Sequence, residues 1–136
     1  MKAKLKLVGG MQFVGTSNSN HSVVLDSDFE GEIPAGNKPM ELVLISLGGC
    51  TGMDVISIMR KKRQEVTCFA IEVTGKRVDD HPRVFKEINI KYIFKGNNLS
   101  PQAIERAIQL SQEKYCSVSA MLKSTAQITT TYEILE

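Results

Sequence analysis

Two cysteines, Cys50 and Cys116, are the residues of this chain best suited to chemistry. Cys50 lies within the largely apolar segment Leu47–Asp54, and Cys116 follows an amphipathic segment sixty-six positions later. A thiol reacts as its thiolate, and a helix N-terminus or a nearby cation lowers its pKa. If folding brings the two cysteines together, one thiol can attack an oxidant and the other can resolve the product as a disulfide.

Each cysteine also has a purely structural interpretation. Free cysteine is among the most buried residue types, so Cys50 could be a small core residue on an apolar helix. The same holds for Cys116, although a helix that begins at Ser117 would favour its thiolate. Cys68 alternates away from the apolar face of its predicted strand, which indicates a structural role.

The other ionisable candidates are two carboxylates and two histidines. Asp54 lies one turn after Cys50, where its charge would oppose thiolate formation, so we expect it to cap or to pair with a neighbouring chain. Glu41 complements the dipole of the first helical turn. His81 is expected to be solvated in a turn, and His21 is a minor candidate for facing the thiols. Neither histidine has a partner at metal-ligand spacing, so no metal site is predicted.

Composition and charge exclude several classes of protein. The chain has 136 residues, which predicts a single domain over residues 1–136 with one core. Hydrophobic residues make up 42% of it, too many for a disordered chain. The net charge is only +2, from 17 basic and 15 acidic residues. A charge this small gives no basis for binding nucleic acid or an anionic membrane.

The chain is expected to be cytoplasmic. Its first residues, Met1–Val8, alternate between polar and apolar, which predicts a strand rather than a signal peptide. The most hydrophobic stretch, Leu42–Leu47, is too short to span a membrane and is followed by glycines. Three cysteines without an export signal indicate a reducing compartment, in which any disulfide would be transient and functional.

Hydrophobic periodicity and turn residues predict three strands and then one long helix. The strands form a meander over residues 2–8, Met11–Thr16 and His21–Leu25. After a polar loop, a helix begins at Pro39 and runs to about Lys62. Apolar residues occur nearly all round this helix, which predicts burial on most sides. The pair Gly48-Gly49 in its interior predicts close packing of another element, with a second layer supplied by a partner subunit.

The second half of the chain predicts a hairpin, two helices and a last strand. Strands over Val66–Val78 and Arg83–Lys95 flank a turn, and the second strand alternates Ile88, Ile90, Tyr92 and Phe94. Ser100 and Pro101 begin a helix whose apolar face comprises Ile104, Ala107, Ile108, Ser111 and Tyr115. A short helix near Ser117 and a strand over Ala126–Leu135 complete an α+β fold with antiparallel sheets around the long helix.

Four motifs occur in order along the chain. They are Phe29-Glu30-Gly31-Glu32, Pro39-Met40-Glu41-Leu42, Gly48-Gly49-Cys50 with Asp54, and Cys116-Ser117-Val118-Ser119. Together with the order of elements and the interval between the cysteines, this set resembles the osmotically inducible and organic-hydroperoxide-resistance proteins (OsmC/Ohr) over essentially the whole chain. Gly48-Gly49-Cys50 and Glu113–Val118 are most similar to the branch of that family typified by the enterobacterial protein YhfA.

The resemblance implies an OsmC-like fold and an intertwined homodimer with each active site at the subunit interface. It implies that Cys50 attacks a hydroperoxide and that Cys116 resolves the resulting sulfenic acid, with no metal or bound cofactor. A dithiol, on a lipoylated protein in some members, would then reduce the disulfide. Met, Leu and Ile side chains expected around Cys50 would favour organic peroxides over hydrogen peroxide.

Two positions depart from the peroxidases of that family. Those enzymes use an arginine from the loops before the central helix and a glutamate directly after the proline. This chain has no arginine before Arg60, and Met40 stands in the place of the glutamate. Glu41, about 100° further round the helix, is the candidate for the role of that glutamate. Arg77 or Arg83 of the hairpin, contributed by the partner subunit, is the candidate for the role of the arginine.

These departures leave two other classes of function open. One is a non-peroxidatic protein whose apolar pocket binds a small hydrophobic or electrophilic ligand, with the cysteines idle or acting as a redox sensor. The other is a different thiol chemistry at Cys50, such as the handling of acyl groups or persulfides.

Overall fold

The computed structural model describes all residues from Met1 to Glu136, and its α+β element order is the predicted one. The chain divides into two compact units, Met1–Val43 and Leu44–Glu136. The strands are β1 (Ala3–Gly9), β2 (Gln12–Ser17), β3 (Ser22–Leu25), β4 (Glu65–Arg77), β5 (Phe85–Asn97) and β6 (Gln127–Leu135). The helices are α1 (Pro39–Lys61), α2 (Pro101–Leu110) and α3 (Ser117–Leu122), with a 3₁₀ turn at Phe29–Gly31 and a π turn at Ser111–Tyr115.

The first unit contains an antiparallel sheet in the order β1-β2-β3, which confirms the predicted meander. Gly10 has a φ of +52° in the turn between β1 and β2, a conformation that glycine adopts without steric cost. The loop after β3 is held by Asp26, whose carboxylate accepts hydrogen bonds from the Ser27 and Ala35 N–H groups at 2.8 and 2.9 Å. The bond to Ala35 therefore ties two distant parts of the predicted polar loop to each other.

Helix α1 begins at Pro39, as its sequence predicts. The Glu41 carboxylate reaches back to accept the Lys38 N–H at 2.8 Å, so it satisfies a backbone donor at the start of the helix. The Lys38 ammonium forms an ion pair with Asp28 at 2.7 Å. The hydrogen bond from Lys38 lowers the pKa of Asp28, and the same bond raises the pKa of Lys38.

The second unit contains a sheet in the order β4-β5-β6, and this sheet is mixed rather than wholly antiparallel. Strands β4 and β5 form the predicted hairpin, but β6 pairs with β5 in parallel, with Tyr92 opposite Tyr132. The reason is topological, because α2, the π turn and α3 carry the chain back along the sheet before β6 begins. A crossover connection of this length is what a parallel pair requires.

The core of the second unit lies between this sheet and its helices. Strand β5 contributes the alternating residues Ile88, Ile90, Tyr92 and Phe94, all of which are buried as predicted. Helix α1 is buried along one face only, through Leu47, Thr51, Gly52, Val55 and Met59. Ile45 and Met53 on its other side are exposed. The prediction of burial on most sides therefore fails for the single chain.

Glycines let α1 approach β4 closely, although not at both of the predicted positions. A Cβ atom at Gly52 would lie 2.8 Å from Ile71 Cδ1, and one at Gly48 would lie 3.2 Å from Val73 Cγ2. A Cβ atom at Gly49 would meet nothing within 4 Å, so the predicted close packing applies to Gly48 and to Gly52 instead.

By length and composition alone, α1 could cross a membrane, with a mean hydropathy of 1.8 over its most apolar window. The apolar stretch is therefore longer than the predicted Leu42–Leu47, because apolar residues continue through the helix. Its buried residues from Leu47 to Met59 lie in the core of the second unit, which is the pattern of a core helix.

Candidate active site

The two thiols singled out from the sequence meet in the second unit. Cys50 lies near the middle of α1, and Cys116 lies between the π turn and α3. Their sulfur atoms and a carboxylate oxygen of Asp54 all lie within 4.8 Å of one another. Three groups that can act as nucleophile, base or ligand therefore converge from two segments that are distant in sequence.

The π turn decides which residue faces Cys50. In a regular α-helix Tyr115, four residues after Ser111, would continue the buried face of α2. Instead, the Cys116 N–H donates to the Ser111 carbonyl at 2.8 Å, five residues back. This wider turn buries Cys116, which is 3% exposed, and turns Tyr115 outward to 49% exposure. The predicted burial of Tyr115 is therefore wrong, and π turns of this kind often occur at functional sites.

The two thiols differ in environment. Cys50 is half-buried and Cys116 is buried. Cys116 is the N-cap of α3, and its sulfur accepts the Ser119 N–H at 3.4 Å, as expected for a helix that begins at Ser117. Burial nevertheless raises the pKa of the Cys116 thiol, and Cys50 raises it further, while the Ser119 hydrogen bonds lower it in part. Burial outweighs the helix terminus, so the Cys116 thiol stays protonated more readily than an ordinary cysteine.

Asp54 accepts a hydrogen bond from a residue of its own chain. Ser111, which directly follows α2, donates through its Oγ to Asp54 Oδ2 at 3.0 Å. An ionised carboxylate only accepts, so the single Ser111 hydroxyl proton points to Asp54. Thr51 Oγ1, 2.7 Å from Ser111 Oγ, must then donate to Ser111. Thr51 and Ser111 are fully buried, which fixes the orientation of the carboxylate beside the thiols.

The same chain of hydrogen bonds continues into the sheet and reaches α3. Thr51 Oγ1 lies 2.6 Å from the Tyr92 hydroxyl, which must donate because Thr51 has already given its proton to Ser111. Gln112 Nε2 donates to Thr51 Oγ1 at 3.2 Å and to the Tyr92 oxygen at 3.3 Å. Gln112 Oε1 accepts the Ser119 hydroxyl at 3.0 Å. Burial raises the pKa of Tyr92 and keeps its hydroxyl a donor.

The sequence did not identify this polar cluster as part of the site. The cluster comprises Thr51, Tyr92, Ser111, Gln112 and Ser119. A signal was present, since Ser111 and Tyr92 stand on faces that are otherwise apolar and Thr51 directly follows Cys50. Polar groups on a buried face must find hydrogen-bond partners, and these find one another.

The other candidate residues are not members of the thiol cluster, which comprises Cys50, Asp54 and Cys116. Glu41 belongs to the first unit, where its carboxylate satisfies the Lys38 N–H. His21, in the same unit, hydrogen-bonds through Nδ1 to Ser19 Oγ at 3.1 Å in the turn before β3. His81 is exposed in the turn between β4 and β5, as expected. Cys68 is exposed on β4 and is not part of the thiol cluster.

A concavity of about 470 Å³ opens beside Asp54. Half of its lining residues are polar or charged, namely Asp54, Ser57, Lys61 and Lys62. The other half are Met53, Ile58, Leu110 and Tyr115. Cys50 was expected to line such a pocket, but Asp54 is the member of the thiol cluster that does so. The concavity provides apolar surface next to the site.

Comparison with known proteins identifies the family. The sequence profile of the family described as OsmC-like protein matches residues 30–131, which is most of the chain. The chain belongs to the OsmC-like family. It is also 41% identical to Protein YhfA of Escherichia coli strain K12 over 135 residues, which covers 99% of this chain and 98% of YhfA. The resemblance carried by the motifs, including its branch, is thereby confirmed.

Solved structures agree with this OsmC-like fold. A hypothetical protein from Aquifex aeolicus VF5 is 37% identical with a TM-score of 0.87, covering 98% of this chain and 95% of that one. The organic hydroperoxide resistance protein OhrB of Bacillus subtilis is 17% identical with a TM-score of 0.65, covering 98% of both chains. The likeness to OhrB is one of fold alone, and OhrB is by its name a hydroperoxide resistance protein.

Proposed function

We propose that this OsmC-like protein is a thiol peroxidase that reduces organic hydroperoxides through Cys50 and Cys116. The observation that carries the proposal is the meeting of the two thiols, with their sulfur atoms within 4.8 Å. Hydroperoxide resistance proteins of the same fold support the choice of substrate class. The cycle requires no metal or bound cofactor, because the oxidising equivalents come from the peroxide.

The different environments of the thiols support the assignment of their roles. Cys50 is the less buried of the two and is the thiol that a peroxide reaches. Cys116 is buried and its pKa is raised by that burial, so it stays protonated until a sulfenic acid forms beside it. Cys50 is therefore the peroxidatic residue and Cys116 the resolving residue.

The proposed catalytic cycle has three steps. The Cys50 thiolate attacks the terminal peroxide oxygen, the O–O bond breaks, and the departing alkoxide takes a proton to become an alcohol. Cys116 sulfur then attacks the Cys50 sulfenic acid, its thiol proton and the sulfenic hydroxyl leave as water, and a disulfide forms. An external dithiol, such as a lipoylated protein, finally reduces this disulfide and becomes oxidised itself.

The proposed rate is modest, because this chain lacks the arginine of the family's peroxidases. Asp54 is the charged group beside the thiols, and it takes part in none of the ion pairs within the chain. Arg77 and Arg83 donate through their Nε atoms to the carbonyls of Arg83 and Asp79 at the end of the hairpin. A positioned donor at developing charge contributes about 10²–10³-fold, so we expect activity weaker by about that factor.

Substrate preference is proposed to follow from the concavity beside Asp54. The organic part of an alkyl or aryl hydroperoxide can pack against the apolar side chains there, namely Met53, Ile58, Leu110 and Tyr115. Hydrogen peroxide has no such hydrocarbon group. Apolar side chains beside convergent polar groups are typical of sites for small organic ligands. Alkyl and aryl hydroperoxides are therefore the expected substrates.

The protein is proposed to act as a homodimer in the cytosol. In the first unit, cross-strand partners place four apolar residues on one face of the sheet, namely Leu5, Leu7, Phe13 and Val23. All four are exposed in the single chain. An exposed apolar face of this kind is typical of a surface that a partner covers.

The proposal is tested by the consumption of cumene hydroperoxide with a dithiol as reductant. The reduced parent should consume the peroxide, and so should Cys68→Ser, which removes an exposed thiol outside the site. Cys50→Ser should show only the rate of the dithiol alone. If Cys50→Ser matches the parent, the peroxidase assignment is wrong.

The alternative is a non-peroxidatic ligand-binding protein or redox sensor of the same fold. Glu41 favours it, because its carboxylate is engaged with the Lys38 N–H at the start of α1. Binding of an apolar ligand at the concavity, without peroxide consumption, would support this alternative.

A further inference from the structure

Cys50, Asp54 and Cys116 form a set of metal-ligating side chains, although their spacing along the sequence does not predict a metal site. Two sulfur atoms and one carboxylate oxygen lie within 4.8 Å of one another. In a tetrahedral site with Zn–S bonds of about 2.3 Å, two sulfur ligands are roughly 3.8 Å apart. Small rotations of these side chains would therefore bring all three ligand atoms to the distances that zinc requires.

The surrounding hydrogen bonds are those that orient metal ligands. Ser111 donates to Asp54 Oδ2 at 3.0 Å, which leaves the other carboxylate oxygen for a cation. The Ser119 N–H donates to Cys116 sulfur at 3.4 Å, which fixes that side chain and supports negative charge on it. Outer groups of this kind hold ligands in position and tune their affinity.

The charge of the cluster also favours a cation. The fully deprotonated set carries three negative charges, and the ion pairs within the chain leave Asp54 without a cationic partner. Thiolate and carboxylate together suit Zn²⁺, which is borderline soft, better than they suit Mg²⁺ or Ca²⁺.

We infer that the reduced protein binds one Zn²⁺ ion through Cys50, Cys116 and Asp54. Binding displaces the two thiol protons and leaves a fourth position for water. Zinc draws electron density from a bound Cys50 thiolate and so slows its attack on a peroxide, and a Cys50–Cys116 disulfide has lost both thiolate ligands. Metal binding and oxidation therefore oppose each other, and zinc slows the oxidation of the thiols reversibly.

The test is a titration of the reduced protein with Zn²⁺ against a chromophoric chelator, without peroxide. The parent and Cys68→Ser should bind one equivalent with the same affinity. Asp54→Asn, which keeps the shape of the side chain, should weaken binding by about tenfold or more, and Cys116→Ser by about 100-fold. Protein oxidised to the disulfide should bind none. Co²⁺ in place of Zn²⁺ should give a sulfur-to-metal charge-transfer band that Cys116→Ser weakens.

Several results would overturn the inference. They are the absence of stoichiometric binding to the reduced parent, unchanged affinity in Asp54→Asn or Cys116→Ser, and loss of binding in Cys68→Ser. Circular dichroism identifies any variant that fails to fold. If a variant does not fold, the cobalt spectrum of the parent still reports how many thiolates bind the metal. Because no peroxide is present, an inactive peroxidase would not alter these results.

Discussion

Replacing Thr51 by Val removes the hydroxyl group at the centre of the polar cluster and keeps the shape of the side chain. Thr51 Oγ1 donates to Ser111 and accepts from Tyr92 and Gln112, at 2.7, 2.6 and 3.2 Å. In Thr51→Val, Ser111 still donates to Asp54, and Gln112 still donates to the Tyr92 oxygen. The Tyr92 hydroxyl proton, by contrast, is left without its acceptor in a fully buried position.

One buried donor without a partner costs about 1–3 kcal/mol. We therefore expect Thr51→Val to lower the free energy of unfolding by about 2 kcal/mol, which corresponds to a decrease in Tm of roughly 5–8 °C for a chain of this length. Thr51→Ser keeps the hydroxyl and removes one buried methyl group, so it should cost only about 1 kcal/mol. Urea and thermal unfolding followed by circular dichroism, at one fixed protein concentration, measure both values.

A double-mutant cycle with Tyr92→Phe separates this mechanism from a general loss of packing. Tyr92→Phe removes the donor that Thr51→Val leaves without a partner. The loss of unfolding free energy in the double variant should therefore be smaller, by about 1 kcal/mol, than the sum of the losses in the two single variants. Additive effects, or a Thr51→Ser protein less stable than Thr51→Val, would refute the donor directions deduced for the cluster.

Three further predictions concern the thiols and the assembly. Burial raises the pKa of the Cys116 thiol, so above the ordinary thiol pKa of ~8.5 the folded state binds more protons than the unfolded state. The contribution of Cys116 to the free energy of unfolding should therefore be fully present below that pH and be lost as the pH rises above it. Between about pH 8.5 and 10 the stability of the parent should fall more steeply than that of Cys116→Ser, and a parent-to-variant difference that already changes below pH 7 would contradict this. Cys116→Ser treated with peroxide should accumulate sulfenic and then sulfinic acid on Cys50, detected by mass spectrometry; an unmodified Cys50 would remove the resolving role. Light scattering should give about twice 15.1 kDa, and a stable monomer at micromolar concentration would count against the homodimer.

Local patterns predicted most of the elements. Alternation along β5 predicted its buried residues, and Pro39 and Pro101 marked the starts of α1 and α2. These features follow from short-range rules of periodicity and capping, which the sequence carries directly. The parallel pairing of β6 depends on where a long crossover ends, and periodicity holds no information about that.

The site was predicted less completely than the fold. The family resemblance paired Cys50 with Cys116, and the structure places their sulfur atoms close together. The π turn that buries Cys116 instead of Tyr115 has no signature in the apolar pattern, because that pattern does not show where one hydrogen bond spans five residues instead of four. The partnership of Asp54 with Ser111 likewise joins positions on two helices, which spacing within a single helix cannot reveal.

The most direct test of the central claim is peptide mapping of the reduced protein after one equivalent of cumene hydroperoxide. We expect a loss of two hydrogens from the intact mass, a single disulfide that joins Cys50 to Cys116, an unmodified Cys68, and one equivalent of alcohol. A protein that keeps all of its thiols, or one whose first oxidised residue is Cys68, would refute the assignment of Cys50 and Cys116 as the redox pair.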